Sequence, residues 1–261
     1  MEFHAKTMAM DSDEYRRLAE LEDDLWHFTA LHNHVRRILA ARGIGPGTRL
    51  LDAGCGTGGL LRRLHEWFPN AQLCGLDCSE SALEWARKRC SCPVSVGSIT
   101  AIPFPESEFD FITCLDVVYQ LERPVEAYRE AARCLRPGGA LVVNEPAYRW
   151  LWSYHDQRVG GRHRFVRAEV LSLLRTAGLE PVFSTYWNCL PLPLIAARRK
   201  LLPPPASGSD VHRYPAWVSG AMRRAMAIEG AWLQAGGRWP AGTSVFAVCV
   251  KNLERTHPLP Y

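Results

Sequence analysis

The stretch Leu50-Leu51-Asp52-Ala53-Gly54-Cys55-Gly56-Thr57-Gly58-Gly59 decides the fold, because it reads as a buried strand that runs into a glycine-rich turn. Three of its glycines, counted from Gly54, fit the dinucleotide-binding spacing G-x-G-x-x-G. Asp52, with the glycines two, four and six residues after it, fits a second spacing in which a carboxylate precedes the turn. Glycines at the start of a helix let a ligand approach the backbone closely, so both spacings predict a nucleoside cofactor here.

Strands and helices alternate along the chain from this turn onward. Short, mostly apolar segments predict five strands, and apolar residues at helical spacing predict the helices between them. This alternation predicts an α/β fold with a doubly wound, mostly parallel sheet covered by helices on both faces. The strands are predicted at Arg49–Ala53, Ala71–Leu76, Val94–Val96, Phe109–Leu115 and Ala140–Asn144, and the helices at Gly58–Phe68, Ser79–Arg89 and Pro124–Leu135.

The segments on either side of this core differ from it in pattern. Helical spacing over Asp11–Ala41 predicts one or two helices, and a Pro-rich interruption is predicted at Leu190–Pro205. We therefore expect an N-terminal helical lid at 1–45, a cofactor-binding core at 46–187, an acceptor-side insert at 188–243, and the last strand with a tail at 244–261. The remaining predicted elements are a helix at Ala168–Ala177, a strand at Pro181–Tyr186, a helix near Pro215–Gln234 and a strand at Ser244–Lys251.

The amino-acid composition indicates which classes of protein this chain fits. The 261 residues are 47% hydrophobic and 22% charged with a net charge of +4, which fits a globular protein and does not predict nucleic-acid binding. No signal-peptide pattern is visible, and the most apolar run, Cys189–Ala197, is too short to span a bilayer, so we expect a cytoplasmic protein without stable membrane insertion. Nine scattered cysteines predict reduced, buried thiols and no metal site.

Asp52 separates the two cofactors that the glycine turn allows. A carboxylate beside the anionic pyrophosphate of a dinucleotide would repel it, whereas a carboxylate suits the ammonium and sulfonium groups of S-adenosylmethionine. The alternative for Asp52 is a helix or turn cap. Asp77, at the end of the second predicted strand, is placed to accept hydrogen bonds from ribose hydroxyls in either case.

The chain resembles the class I S-adenosylmethionine-dependent methyltransferases, in the group that includes ubiquinone-type and small-molecule (type 11-like) enzymes. Leu50–Gly58 is similar to the first motif of that family, and Gly75–Ser79 to its second. Ile102–Phe104 and the following Phe109–Asp110 resemble the approach to its fourth strand, and Leu135–Gly139 resembles the turn before its fifth. The resemblance implies a Rossmann-like, seven-stranded sheet that ends in an antiparallel hairpin, with S-adenosylmethionine as the cofactor.

The resemblance also implies roles for individual residues. Asp77 would hold the ribose, Cys78 would pack on the adenine, and Ser98 stands where the family usually has an acidic residue that reads the adenine amine. The implied cofactor-binding set is Asp52, Gly54, Cys55, Gly56, Gly58, Asp77, Cys78, Ser98, Ile99, Leu115 and Asp116.

The acceptor is expected beyond the fifth strand, because ligands of doubly wound sheets lie outside the carboxyl ends of the strands. His155 is a candidate general base with Asp156 as its orienter or as an alternative base; the other interpretation is a turn cap with a surface histidine. A basic cluster follows, which either clamps an anionic acceptor or is solvated: Arg158, Arg162, His163, Arg164 and Arg167. The candidate acceptor-binding residues are Tyr15, Trp26, Phe28, Tyr119, Tyr148, Trp152, Arg158, Arg162 and Arg164.

The sequence thus predicts methyl transfer to a small, partly apolar and, as one option, anionic molecule, of the kind met in secondary metabolism, with oxygen, nitrogen and carbon acceptors all open. Alternatives are a non-methylating S-adenosylmethionine-binding protein, such as a cyclase or sensor, and an NAD-dependent oxidoreductase. An interrupted apolar stretch at Leu190–Leu202, which carries Arg198, Arg199 and Lys200, leaves membrane lipid open as an acceptor.

Overall fold

The computed structural model describes residues 12–203 and 210–252, and these residues contain one seven-stranded sheet with helices on both faces. The strand order is β3-β2-β1-β4-β5-β7-β6, in which β7 runs antiparallel to both of its neighbours and the other adjacent pairs are parallel. The sheet confirms the predicted fold class. The strands are β1 Arg49–Ala53, β2 Gln72–Asp77, β3 Val94–Val96, β4 Phe109–Leu115, β5 Leu135–Pro146, β6 Leu179–Trp187 and β7 Ser244–Lys251.

Helices cover both faces of this sheet. The apolar run of β1 is explained by that cover, since Leu50 packs into the cluster under α2 and α3 whereas Leu51 packs into the cluster under α5 and α7. The helices are α1 Ser12–Leu21, α2 Trp26–Ala41, α3 Gly59–Trp67, α4 Glu80–Arg89, α5 Pro124–Cys134, α6 Tyr154–Arg158, α7 Arg167–Thr176, α8 Leu192–Leu201 and α9 Ala216–Gln234.

Two predicted segments differ from the structure. Most of the predicted Pro-rich interruption is the helix α8, because Pro191 and Pro193 lie at its first turn, where a missing N–H costs no hydrogen bond. The strand β5 begins at Leu135 rather than at Ala140, because Leu135 already pairs with Phe109 before the glycine turn. Some predicted residues lie outside the described part of the chain. They are Asp11, Pro204 and Pro205 of the Pro-rich interruption, and the predicted tail after residue 252.

The strand order reverses between β1 and β4, and this reversal places the site. At such a point the loops that follow neighbouring strands diverge and leave a crevice at their carboxyl ends. The glycine turn follows β1, and Asp116 follows β4. In the part of the chain that the structure describes, no helix is both long enough and apolar enough to cross a bilayer.

Candidate active site

A cavity of about 1250 Å³ opens at the carboxyl ends of β1, β2 and β4. The glycine turn and Asp77 line one end, whereas α6, α8 and the residues after 210 line the other. The loop and helices at 14–32 cover the middle. A single continuous space therefore has room for a nucleoside cofactor and a second small molecule.

The glycine turn is shaped by hydrogen bonds to β2 and by positive φ angles. The N–H groups of Gly54 and Cys55 both donate to the carbonyl of Leu76, at 2.7 and 3.0 Å. Gly54 has φ of +87°, and a Cβ on it would collide with the Val117 side chain. Glycine is therefore required here by both the backbone and the close approach.

Asp77 joins the glycine turn to the start of α4. One carboxylate oxygen accepts from the Gly56 N–H at 2.9 Å, and the other accepts from the Ser79 N–H at 2.9 Å. Burial raises the pKa of Asp77, and these hydrogen bonds oppose that rise. The carboxylate is thus fixed at the wall of the cavity, within the reach expected of a ribose-binding group.

Asp52 lies under the same turn, with its carboxylate buried at the wall of the cavity. Its Oδ1 accepts from the Thr113 hydroxyl at 2.7 Å, which follows from the pairing of Asp52 with Thr113 across β1 and β4. Burial raises the pKa of Asp52 to about 7. A cationic ligand would favour the ionised form, as the argument from the sequence requires.

Asp116 ends a chain of hydrogen bonds that crosses the sheet. It adopts a left-handed φ of +55°, and its Oδ1 accepts from the Asn144 side chain at 2.8 Å. The Asn144 amide oxygen in turn accepts from the Trp187 indole at 2.6 Å, and the Trp187 ring stacks on His27. Burial raises the pKa of Asp116 to about 7.

Replacing Asp116 with asparagine is expected to stabilise the protein at pH 8, by an amount on the order of a few kcal/mol. Because the folded-state pKa lies above the unfolded value, the carboxylate lowers stability as pH rises from about 4 to about 7, and the penalty is fully present above that range. Asparagine tolerates the left-handed backbone and carries no charge. Urea unfolding at pH 5 and pH 8 measures the effect.

The exposed Asp24 provides the control for this substitution. The variant Asp24→Asn should leave the difference between the two pH values unchanged. Equal stability of Asp116→Asn and the parent protein at pH 8 would show that burial does not penalise the Asp116 carboxylate.

His155 and Asp156 lie at the other end of the cavity with different surroundings. The His155 Nδ1 accepts from the backbone N–H of Asp210 at 3.3 Å, which leaves the proton of the neutral ring on Nε2. Burial lowers the pKa of His155. Asp156 is fully buried and accepts from the Ser153 N–H and the Arg164 Nε, at 2.9 and 2.7 Å. These contacts hold α6 in place and occupy both oxygens of Asp156.

The predicted basic cluster is not a single patch. Arg164 pairs with Asp156, Arg162 lies 3.7 Å from Glu122, and Arg158 lies 3.9 Å from Glu14. Arg167 stacks over the ring of Tyr186 on β6 instead. These four arginines therefore have different partners, and the choice between an anion clamp and a solvated cluster stays a prediction.

Most of the predicted site residues are brought together. Gly58, Tyr148 and Arg158 do not line the cavity. Gly58 packs against Ala86 of α4, and Tyr148 stacks on Tyr186. The residues that do line it are Asp52, Gly54, Cys55, Gly56, Asp77, Cys78, Ser98, Ile99, Leu115 and Asp116 on the cofactor side, and Tyr15, Trp26, Phe28, Tyr119, Trp152, His155, Asp156, Arg162 and Arg164 on the acceptor side.

A latch that the sequence did not predict closes the glycine turn from above. We call it the Glu22–Asp23 latch, after the two acidic residues between α1 and α2 that form it. Glu22 accepts from the Thr57 hydroxyl at 2.7 Å and pairs with Arg89. Asp23 pairs with both Arg62 and Arg89, each at 2.7 Å. The latch ties the N-terminal helices to the cofactor end of the cavity.

Several other residues that line the cavity were not predicted from the sequence. His27 lies between Trp26 and Phe28, which the sequence predicts as acceptor-binding residues, but no sequence pattern marks His27 itself. Its Nδ1 is 3.0 Å from the side-chain nitrogen of Asn188, and burial lowers its pKa to about 4. Asn188, Arg199, Asp210 and Tyr214 come from the insert, where no motif marks them.

Comparison with known proteins identifies the core. Residues 51–143 match the family model described as a methyltransferase domain. Malonyl-[acyl-carrier protein] O-methyltransferase of Hahella chejuensis is 32% identical over 46% of this chain and 46% of its own length. A ubiquinone/menaquinone biosynthesis C-methyltransferase of a Ruegeria species is 36% identical over 38% of this chain and 43% of its own length. The chain thus spans less than half of the length of these curated relatives.

Among solved structures, the chain is similar to one from the complex between the Haloferax volcanii Trm112 methyltransferase activator and the putative methyltransferase. The TM-score is 0.62 with 21% identity, covering 94% of this chain and 96% of that one. The match supports the fold along nearly the whole chain, including the N-terminal helices and the segment between β6 and β7. The domain match and the sheet together identify residues 51–143 as the core of a class I S-adenosylmethionine-dependent methyltransferase domain, with S-adenosylmethionine as its cofactor.

Proposed function

We propose that this protein transfers the methyl group of S-adenosylmethionine to a small, partly apolar acceptor that carries no net negative charge. The observation that carries the proposal is the single cavity, which runs from the glycine turn and Asp77 to the aromatic residues Trp26 and Trp152. The sulfonium activates the methyl group when the cofactor is bound. The protein then has to hold the acceptor in line and exclude water.

The charges of the cavity support a neutral acceptor over the anionic option that the sequence left open. Among the residues that the structure describes, nine carboxylate side chains and four arginines line the cavity. Each of these arginines lies within ion-pair distance of a carboxylate on the same wall, as Arg199 does with Asp210. An anionic acceptor would have to displace such a partner and leave a carboxylate unpaired. The pairs are Arg123–Glu126, Arg162–Glu122, Arg164–Asp156 and Arg199–Asp210.

We assign His155 the role of a hydrogen-bond donor to the acceptor rather than that of a general base. Its Nδ1 is occupied by the Asp210 N–H, so the Nε2 proton is the group left to donate. Asp156 then acts as a positioning residue, because its carboxylate is fully buried, accepts from the Ser153 N–H and is ion-paired with the buried Arg164. For a hydroxyl or amine acceptor, the proton released on methylation could pass to Asp116, whose pKa of about 7 suits that transfer.

A test of the acceptor class uses S-adenosylmethionine with an isotopically labelled methyl group and a small-molecule extract of the host cells. The expected result is a labelled product, found by mass spectrometry, in the fraction that passes an anion-exchange column. The Asp77→Ala variant should give no product. Labelled product only in the anionic fraction would contradict the charge argument.

The same experiment separates methyl transfer from the alternatives. Cofactor that binds but keeps its methyl group across the extract would support a non-methylating protein, such as a cyclase or sensor. Failure of both S-adenosylmethionine and S-adenosylhomocysteine to bind in calorimetry would end the proposal.

The role of His155 is tested by two variants once a product is known. His155→Ala should lower kcat by about 10- to 100-fold, and His155→Gln should recover part of it, because glutamine still donates a hydrogen bond. The affinity for S-adenosylhomocysteine should not change in either variant. If His155 were instead a base, glutamine would be as inactive as alanine.

A further inference from the structure

The insert between β6 and β7 carries most of the large apolar side chains that the protein exposes. Seven of the eleven such side chains among residues 12–203 and 210–252 lie between Leu190 and Trp232. Leu201 and Trp217 are the most exposed of them, at 79% and 78%. A concentration of this kind on a soluble fold marks an interaction surface.

The helix α8 has its apolar residues on the outside. Leu194, Ala197 and Leu201 recur at helical spacing and are all exposed, with Lys200 beside them. On the opposite side, Ile195 and Arg199 line the cavity. A helix that only closed a cavity would place its charges outward and its leucines inward. In α8 the leucines instead face outward beside Lys200, and Arg199 faces the cavity.

The helix α9 repeats this arrangement. Trp217, Arg224 and Ile228 lie seven and four residues apart along one exposed side, and Trp232 continues that side by one more turn. The carboxylate of Glu229 faces inward, where its Oε1 accepts from the N–H of Leu190 at 2.7 Å. In α9, as in α8, an apolar stripe that includes a positive charge faces outward, and a carboxylate lies on the inner side with the buried Met226.

The two helices cover the same side of the sheet. Ile195 of α8 and Met222 of α9 both pack on the core cluster that contains Trp187 and Leu50. The hydrogen bond from Leu190 to Glu229 joins the start of α8 to the last third of α9. Their exposed stripes both belong to the insert, and we call the two stripes together the insert face. It consists of Leu194, Leu201, Trp217, Arg224, Ile228 and Trp232.

The insert face lies in a strongly basic part of the chain. Leu190–Trp232 contains six lysine or arginine residues and two acidic residues, Asp210 and Glu229, which gives it the whole net charge of +4 of the chain. Asp210 pairs with Arg199 and Glu229 is fully buried, so five positive charges have no ion-pair partner among the described residues. They are Arg198, Lys200, Arg213, Arg223 and Arg224.

We propose that the insert face binds the surface of an anionic phospholipid bilayer. Leucine and tryptophan enter the boundary between headgroups and acyl chains, and the neighbouring lysine and arginine side chains reach the phosphates and carboxylates of the lipids. A second copy of the chain would bring the same positive charges together, which opposes self-association through this face. The proposal concerns binding alone and does not depend on methyl transfer.

The test is co-sedimentation of the full chain with vesicles, without cofactor or acceptor. Vesicles of phosphatidylcholine with roughly one-third phosphatidylserine should bind the protein, vesicles of phosphatidylcholine alone should bind it much less, and added salt should weaken the binding. Arg223→Glu with Arg224→Glu, and separately Leu201→Ser with Trp217→Ser, should each lower the partition coefficient at least about tenfold.

Matched controls come from elsewhere on the surface. Arg129 of α5 and Val96 of β3 are exposed outside the insert, so Arg129→Glu and Val96→Ser should bind vesicles as the parent does. Circular dichroism melts establish that every variant is folded. Absence of binding to the anionic vesicles, or equal binding by the insert variants and the controls, would overturn the proposal. So would a dimer in light scattering that the Leu201→Ser and Trp217→Ser changes dissociate while vesicle binding is absent.

Discussion

Replacing Asp77 with alanine is expected to weaken the binding of S-adenosylhomocysteine at least about 100-fold. Asp77 is proposed to hold both ribose hydroxyls, and each hydrogen bond to a charged group contributes roughly 1.5–3 kcal/mol. The same substitution leaves the N–H groups of Gly56 and Ser79 without their acceptor, so the glycine turn also loses its anchor to α4. Isothermal titration calorimetry measures the loss.

The neighbouring Glu80 provides the control for Asp77. It follows Asp77 by three residues, at the exposed start of α4, and forms an ion pair with Arg87. An exposed ion pair of this kind contributes little to stability. Glu80→Ala should bind S-adenosylhomocysteine with unchanged affinity. An affinity of Asp77→Ala within about threefold of the parent would show that Asp77 does not hold the ribose.

Replacing Gly58 with alanine is expected to lower the free energy of unfolding by about 2–5 kcal/mol. Gly58 has φ of +79°, and a Cβ on it would lie 2.9 Å from the Cα of Ala86. An alanine side chain is strained by the left-handed backbone, and it also pushes α3 away from α4; both effects lower the stability of the folded state. Since this contact is with backbone, no side-chain rotation relieves it. Urea unfolding measures the difference.

Gly43 separates these two effects. It has the same φ of +79°, but nothing lies within 4 Å of a Cβ built on it. Gly43→Ala should therefore lower the free energy of unfolding only by the cost of the left-handed backbone, about 1–2 kcal/mol. Equal destabilisation by the two substitutions would mean that the contact with Ala86 contributes nothing. The comparison also tests whether Gly58 serves packing rather than the cofactor, as its absence from the cavity wall indicates.

The regular core could be predicted because each of its elements has a local signal. The strand Phe109–Leu115 is mostly apolar, with Asp110 and Thr113 as its two polar residues. Ser79 caps α4 by accepting from the Ala82 N–H, as its residue type predicts. The helix α8 could not be predicted in the same way. Its prolines read as helix breakers, and only their position at the first turn makes them compatible with a helix.

The candidate site also has one part that the sequence predicts and another part that it does not. The residues of the glycine turn and Asp77 follow the strands directly, so the topology alone brings them together. The Glu22–Asp23 latch joins residues that are far apart in the chain, as in the hydrogen bond from Thr57 to Glu22. The pairing of Arg164 with Asp156 was equally invisible, because sequence shows which side chains are charged and not which ones meet.

The latch has a consequence for the timing of the reaction cycle. Residues outside the matched domain close over the glycine turn through Thr57, Arg62 and Arg89. If the proposed function holds, we expect spent cofactor to leave on that side only after these ion pairs separate, which would make product departure a distinct kinetic step. Because Asp23 is partly exposed, dissolved salt reaches these pairs and would speed that step. Turnover would then respond to ionic strength even for an acceptor that has no charge of its own.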